Sequence, residues 1–525
     1  MKRKILLLSI IMSAFFLMIL YQFERWSDLK KQTPTMGVSI EDAGKNDFWI
    51  SVPAIENRGL SYDVGGYFDD ETNTIYLILP ADVNQKKVVY YVRDIYNNYL
   101  TRVVSNFEKE DVMIGDRAIV AIASELPILY LQVDDEYGTI HDVNNDPTKE
   151  TRCYGELRID VGKESATQNG FATSYLSVDY DDSTPGSVEV KPRGNNTWLF
   201  GSKRPYSFKL DKSMDLLGMG KTKKWALLAN AEDKSLIKNE IAFKLADQIG
   251  VAYTPQTQNV VFYLNGEYRG VYGLTTRIEI DKDRVALTNN DFLINWGGSA
   301  PQQVIPLESE SWYYDSSEHD FPYVDLIYPE NASDIEAVQT IVQEYMTAVE
   351  DVSSDRYLEY MDIESLAKFY WVQEICMNLD ASSRSIYSYY KGNEQKLYMG
   401  PVWDMDLTLG INGDKAGCDY RVPEGWAVRN IGMYVPLFEH DSFEQEVERV
   451  YYEEGIRDIM FAMVDYFDYM QNTMKVDGEL NYSRWRDEPG IYALDYGATN
   501  YEEQVNAVRQ FYVDRIEWID AQMAQ

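Results

Sequence analysis

The hydrophobic period changes once along this chain, and that change restricts the folds open to it. From Phe48 to about Ala123 the apolar runs are short and β-rich, as in Ile75 to Leu79, Val88 to Val92 and Ala118 to Ala123. Turn residues such as Asp69-Asp70 and Asn84 separate them at the spacing of a small β-sandwich. Ile128 to Val133 opens a second β-rich region that continues to about Leu228. Helical spacing follows. Lys234 to Ile249 places Ile237, Ile241, Leu245 and Ile249 on one face, with Asp233 as N-cap and Gly250 just past the end. Ser333 with Glu336, and Asn500 with Glu503, form capping boxes ahead of two further apolar faces. Strands first and helices later predict an α+β fold with segregated layers.

At 525 residues the chain has room for about three domains, or two with one large. The composition shifts place boundaries at 1–22, 23–47, 48–124 and 125–525, the last with a β-rich part to about 275 and a helical part from about 276. Lys2, Arg3 and Lys4 precede the apolar run from Ile5 to Tyr21, which orients the bulk of the chain outward across a membrane. The run is at the lower limit for a span, and Ser13-Ala14-Phe15 is no small-residue cleavage site, so a signal anchor is favoured over a cleaved signal peptide. Residues 23–47 are polar and read as a linker. Cys153, Cys376 and Cys418 are too few for a disulfide framework, and a sparse set suits a bacterial surface protein.

Lys and Arg number 49 against 85 Asp and Glu, a net charge of −36 that excludes a basic nucleic-acid surface. It permits cation binding, basic partners or a soluble exterior, and the last is the simplest reading.

The chemistry concentrates around two hairpins. Gln258 to Leu264 and Glu267 to Gly273 flank Asn265-Gly266, a hairpin signal that is structural by itself. Ser385 to Tyr390 and Lys396 to Val402 flank a second turn. An antiparallel pair returns to its start, so Asp380, ending the helical stretch Ile363 to Leu379, comes beside Asp404 and Asp406. Three carboxylates there repel one another unless a cation joins them, and Mg²⁺ is usually held by one or two carboxylates with substrate phosphates. The order also matches protein kinases, in which a catalytic Asp, a hairpin and a metal-binding Asp follow in sequence. Positive charge clusters in Arg193-Gly194-Asn195 and in Lys203 to Leu210. In the second segment, strand alternation puts Tyr206, Phe208 and Leu210 on one face and Ser207 with Lys209 on the other. Lys209 on a rigid strand is thereby a candidate phosphate contact, with a solvated strand face as the plainer reading.

From Leu126 to Gly410 these segments resemble the CotH kinase family, atypical protein kinases named for a spore-coat protein. The resemblance is carried by Arg193-Gly194-Asn195-Asn196-Thr197-Trp198, Arg204-Pro205-Tyr206 with Lys209, and Lys224-Trp225-Ala226-Leu227-Leu228-Ala229-Asn230. Asn265-Gly266-Glu267-Tyr268, Asn378-Leu379-Asp380 and Gly400-Pro401-Val402-Trp403-Asp404-Met405-Asp406 complete it. It implies a two-lobed kinase-like domain over 125–525 and transfer of the ATP γ-phosphoryl group to Ser/Thr hydroxyls of surface or spore-coat proteins, with Mg²⁺ or Mn²⁺. Asp380 would be the base and Asp404 and Asp406 would hold the metal, with the direct ligand left open between them. Arg193, Gly194, Asn195, Lys209 and Asn239 would contact the nucleotide. The sequence departs from the family's pattern in three places. Asn196 stands for the usual Ser, Lys238 for Arg, and Thr276 for a Glu near the presumed nucleotide cleft. The last leaves a non-catalytic surface adhesin or scaffold as the alternative.

Other motifs are weaker. Asp134-Asp135-Glu136, Asp142 to Asp146 and Asp179 to Asp182 lack the ligand spacing of a calcium loop and read as solvated turns. His141, His319 and His440 form no zinc pattern, and the many Tyr and Trp residues fall mostly at core spacing.

Overall fold

The computed structural model describes residues 49–52, 64–93, 99–133, 138–161, 175–177, 188–297, 303–306, 323–330, 335–382, 384–488, 490–494 and 496–525. The expected membrane segment, the 23–47 linker, the Ser333 cap and the acidic runs at 134–136 and 179–182 lie outside them. Among the described residues no helix is long and apolar enough to cross a membrane. The fold is mixed α+β, and the chain divides into two compact units.

The first unit takes the described residues up to Leu79, with Val83–Ala123 and Gly266–Tyr268. Its strands are β1 (Trp49–Val52), β2 (Val64–Gly65), β3 (Tyr67–Asp69), β4 (Thr74–Pro80), β5 (Val88–Arg93), β6 (Tyr99–Ser105), β7 (Val112–Ile114) and β8 (Arg117–Ser124). They form two four-stranded sheets, β2-β1-β5-β6 and β3-β4-β8-β7. The expected runs are all strands, and Tyr90, Val92, Leu77 and Leu79 are buried.

The second unit spans Pro80–Asp82, Ser124–Asn265 and Arg269–Gln525. Its first part contains β9 (Ile128–Val133), α1 (Ile140–Asn144), β10 (Cys153–Asp160), β11 (Tyr175–Ser177), β12 (Val188–Pro192), α2 (Asn196–Phe200), β13 (Tyr206–Asp215), β14 (Lys221–Leu228), α3 (Lys238–Ile249), β15 (Thr257–Leu264) and β16 (Glu267–Thr276). Hydrogen bonding runs β10-β12-β13-β14-β16-β15-β9, and β9 pairs back to β10, so seven strands close a ring with β11 attached to β10. Closure removes unpaired edges. It depends on Gly155, which pairs with Val133 on one side and Val188 on the other, because a Cβ there would lie 2.0 Å from the Gln132 carbonyl oxygen. Tyr206, Phe208, Leu210, Trp225 and Leu227 fill the interior, as the alternation predicts. Asn265 and Gly266 turn β15 into β16, both at positive φ (50° and 76°), as a two-residue hairpin requires.

The remainder is not purely helical. It contains β17 (Phe292–Trp296), β18 (Val304–Pro306), β19 (Tyr323–Tyr328), α4 (Ile335–Glu350), α5 (Ile363–Cys376), β20 (Ile386–Lys391), β21 (Lys396–Met399), the short pair β22 (Asp414–Lys415) and β23 (Cys418–Asp419), α6 (Tyr434–Leu437), α7 (Asp441–Tyr452), α8 (Ile456–Trp485) and α9 (Tyr501–Met523). The sheet order β18-β19-β17-β20-β21 makes the second hairpin one end of a five-stranded sheet. Helix α5 is buried at ten of its 14 positions, so it is the central helix of this part, packed by α3, α7 and α9.

Two helix bounds differ from the periodicity. Helix α3 starts at Lys238 rather than Lys234, because the Asp233 carboxylate accepts from the Ser235 and Lys238 amides and folds the intervening residues into a turn. Helix α5 stops at Cys376 rather than Leu379, where Met377 takes φ of 50°. Asn500 caps α9 through the Glu503 amide, but the Glu503 carboxylate bonds Thr499 instead of closing the box on Asn500. The three cysteines are buried free thiols, and His440 is a core residue against Tyr357.

Candidate functional site

The segment after the second hairpin is bound to the end of α5. The Leu379 amide donates to the Leu407 carbonyl (3.2 Å) and the Leu409 amide to the Cys376 carbonyl (2.8 Å). Asn378 Oδ1 accepts from the Asp380 amide at 3.0 Å and fixes the turn that presents Asp380. From the other side, the start of α3 clamps the same segment. Asn239 Oδ1 accepts from the Met405 amide at 2.9 Å, between the two acidic residues, and Lys238 Nζ donates to the Gly410 carbonyl at 2.9 Å. Asp404 has φ of 62°, a left-handed conformation that Asp tolerates better than most residues.

The charges explain what this arrangement favours. Burial pushes the Asp406 carboxyl well above the usual carboxylate range, with Asp404, Asp380 and Glu232 adding repulsion in that order. Asp404 opens onto the surface with protein on its other sides. Desolvation raises its carboxyl, against the opposing pull of Arg193, Ser385 and Arg384. Ser385 Oγ faces Asp404 Oδ2 at 3.5 Å. Arg193 lies with its guanidinium carbon 5.2 Å from the centre of the Trp403 ring, and Trp403 stacks on Phe243. Burial and then Arg277 bring the Arg193 pKa down to about 10, and its Nη1 is buried with no acceptor among the described residues. The buried guanidinium nitrogen has the chemistry to donate to an anion, and the two carboxylates raised by desolvation have the chemistry to take a cation.

The sequence-predicted residues therefore divide. Asp380, Asp404, Asp406 and Arg193 share one field, and Asn239 positions the loop that carries two of them. Gly194 and Asn195 hold Lys149, whose ammonium donates to the Gly194 carbonyl (3.0 Å) and Asn195 Oδ1 (2.8 Å). Gly194 is at φ 79°, where a Cβ would meet Thr197 Oγ1 at 2.7 Å. Lys209 is exposed on the outer barrel face, in register with Glu189 and Lys224. On that same face, Lys191 sits opposite Ser207, and its ammonium is made less basic by burial and then by Arg277. Thr276 Oγ1 accepts from the Gln256 amide within the sheet.

Sequence reasoning missed Lys191, Arg277, Arg384, Tyr387 and Glu232. Tyr387 has its hydroxyl pKa raised by burial and then by Asp404. Strand alternation could have flagged Lys191, since it is two residues from Arg193 on the face of Ser207. Nothing local marks the others.

Among the described residues no group of three or more His, Cys, Asp or Glu is assembled to hold a metal. The donor set fits a Mg²⁺-type site built from the Asp404 and Asp406 carboxylates, with remaining positions left to phosphate and water. A closed cage is not needed for such an ion.

Fold and site together define a mixed α+β protein in which the carboxylates of Asp404 and Asp406 share one field with the half-buried Arg193. Residues 190–519 match the family model described as CotH kinase protein, more than half of the chain, and the chain belongs to the CotH kinase family. The match takes in Arg193, Asp380, Asp404 and Asp406. Membership supports a kinase-like enzyme and implies ATP and a divalent metal in general terms. No curated protein matches the chain.

Proposed function

We propose that the chain is an exported protein kinase that moves the ATP γ-phosphoryl group to Ser/Thr hydroxyls of surface or coat proteins. The observation that carries this reading is the buried Nη1 of Arg193, which has no acceptor among the described residues and lies in the field of Asp404 and Asp406. A triphosphate would supply that acceptor, and Asp404 and Asp406 would hold Mg²⁺ or Mn²⁺, which would supply charge neutralisation at its phosphates. Arg193, with Lys191 and Arg277 nearby, holds the phosphate end. Asn239 and Lys238 keep the acidic loop in place. Asp380 accepts the proton of the acceptor hydroxyl as its oxygen bonds to the γ-phosphorus and ADP leaves. The closed barrel serves as one lobe and the part built around α5 as the other. The N-terminal apolar run anchors the chain with its bulk outside the membrane.

The test is phosphate transfer from labelled ATP by the full chain with Mg²⁺ or Mn²⁺. Asp380→Asn abolishes transfer while nucleotide still raises the melting temperature, and Asp404→Asn removes the metal dependence of that rise. Full activity in both variants overturns the roles. A second reading, a non-catalytic surface scaffold, draws support from Thr276, whose hydroxyl is used inside the sheet where the family has a carboxylate. Retained partner binding with no nucleotide-induced stabilisation, with either metal, is the result that favours it.

A further inference from the structure

A cavity of about 450 Å³ opens between α3, α8 and the start of β15, and of the residues named in the candidate site only Phe243, the ring under Trp403, lines it. Glu240 forms one wall. Tyr466 Oη donates to its Oε1 and Asn259 Nδ2 to its Oε2, both at 2.8 Å, and neither partner carries a charge. Burial brings the Glu240 carboxyl up to about 7, which Tyr466 and Lys244 offset only in part. Asp247 and Glu125 add acidic groups at exposed positions of the lining, where Lys244 is the one basic residue.

The same cavity carries an aromatic platform. The rings of Tyr466 and Tyr469 stack with centres 5.7 Å apart and planes at 22°, and Tyr469 is 58% exposed. Lys244 Nζ already lies 5.9 Å from the centre of the Tyr466 ring, so this pair hosts an ammonium within the protein itself. Met470, Met474 and Phe243 supply apolar wall beside the carboxylate. A cavity that combines one half-buried acid, stacked tyrosine faces and an apolar flank discriminates by charge at one end and by hydrocarbon along its length. Anions are opposed by three carboxylates. A bare divalent ion finds both Glu240 oxygens already accepting hydrogen bonds from neutral donors.

We propose that this cavity binds an organic cation, a primary ammonium or guanidinium on an alkyl stem, with Glu240 as its counter-charge and the Tyr466–Tyr469 pair as its platform. Two sources offer that chemistry: a free diamine, and a Lys or Arg side chain of a polypeptide. Phe243 of the apolar wall stacks on Trp403, but neither Glu240 nor the two tyrosines are among the groups assigned to nucleotide or metal. Occupancy of the cavity is therefore measured without nucleotide, and it stands or falls separately from phosphate transfer.

Calorimetric titration of the full chain with 1,5-diaminopentane and with the peptide acetyl-Gly-Lys-Gly-amide tests it, using the lysine-acetylated peptide as the uncharged control. At least one charged probe binds saturably, and the acetylated peptide does not. Glu240→Gln, which preserves the size and the Tyr466 hydrogen bond, weakens binding roughly tenfold. Tyr469→Ala, at an exposed position, weakens it severalfold. Binding of the diamine alone identifies a small-molecule site, and binding of the peptide alone identifies a polypeptide side chain. Either supports the proposal. Absence of binding by both charged probes, equal binding of the acetylated peptide, or unchanged affinity in both variants overturns it.

Discussion

Arg515 and Glu374 form an ion pair with both side chains fully buried, and separating it provides a quantitative test of how the segment after the acidic loop is held. Arg515, on α9, donates to the Pro423 and Gly425 carbonyls (2.9 and 2.6 Å), and to the Glu374 carbonyl and Oε1 (3.0 and 2.6 Å). Glu374, on α5, accepts the amides of Ala427, Val428 and Arg429 at 2.6, 2.9 and 2.9 Å. One carboxylate and one guanidinium thus tie residues 423–429 to two helices. Arg515→Met leaves the carboxylate with its amide donors but no counter-charge, and removes the guanidinium donors of the Pro423, Gly425 and Glu374 carbonyls. Breaking such a buried pair from one side costs about 3–5 kcal/mol. Glu374→Gln leaves a buried cation and costs a similar amount, while the double variant loses much less than the sum because neither charge remains alone. Urea unfolding of the full chain, read from the transition of the larger unit, measures all three. A loss below about 1 kcal/mol in both single variants, or simple additivity in the double, refutes the reasoning.

Asn239→Ala removes the acceptor of the Met405 amide, and loss of one buried hydrogen bond predicts about a tenfold weakening of metal-dependent nucleotide binding, read by thermal shift. Arg193→Met is expected to reduce nucleotide affinity by roughly tenfold or more, Lys191→Ala less, and exposed Lys209→Ala within about twofold; equal losses at all three contradict the placement of phosphate beside Trp403. Stability shows two slopes with pH. Burial raises Asp477 from 3.8 to about 7, so the folded chain binds its proton more tightly and stability from this group falls as pH rises from about 4 to 7. Burial lowers Lys203 from 10.5 to about 7, so the unfolded chain binds that proton more tightly and stability rises with pH from about 7 to 10.5. Asp477→Asn flattens the first limb and Lys203→Met the second in denaturation series across pH, and unchanged slopes reject these assignments.

Much of the fold is legible in the sequence because it rests on local periodicity. The strands at Ile128 to Val133 and Tyr206 to Leu210 and the helix ending at Gly250 each follow from the spacing of apolar residues and the chemistry of one turn. Where the local signal was misread, a side chain had a competing partner. Asp233 caps Lys238 instead of Lys234, because its carboxylate also holds Ser235. The closing of the barrel is not visible locally, since it depends on β9 meeting both nearby β10 and, more than a hundred residues further on, β15.

The site divides along the same line. Antiparallel return placed Asp380 beside Asp404 and Asp406 from sequence alone, because hairpin geometry is short-range. Arg277, Glu232 and Tyr387 come from separate elements, and no spacing announces that their charges meet at Arg193, Asp404 and Asp406. The sequence by itself determined the family, the order of elements and the acidic pair. The tertiary structure decided which basic residues face that pair, that Lys209 stands exposed while Arg193 lies half-buried over Trp403, and that Glu240 is half-buried beside Tyr466. Desolvation is the physical reason: it sets the chemical state of a charge, and it depends on what the rest of the chain packs around it.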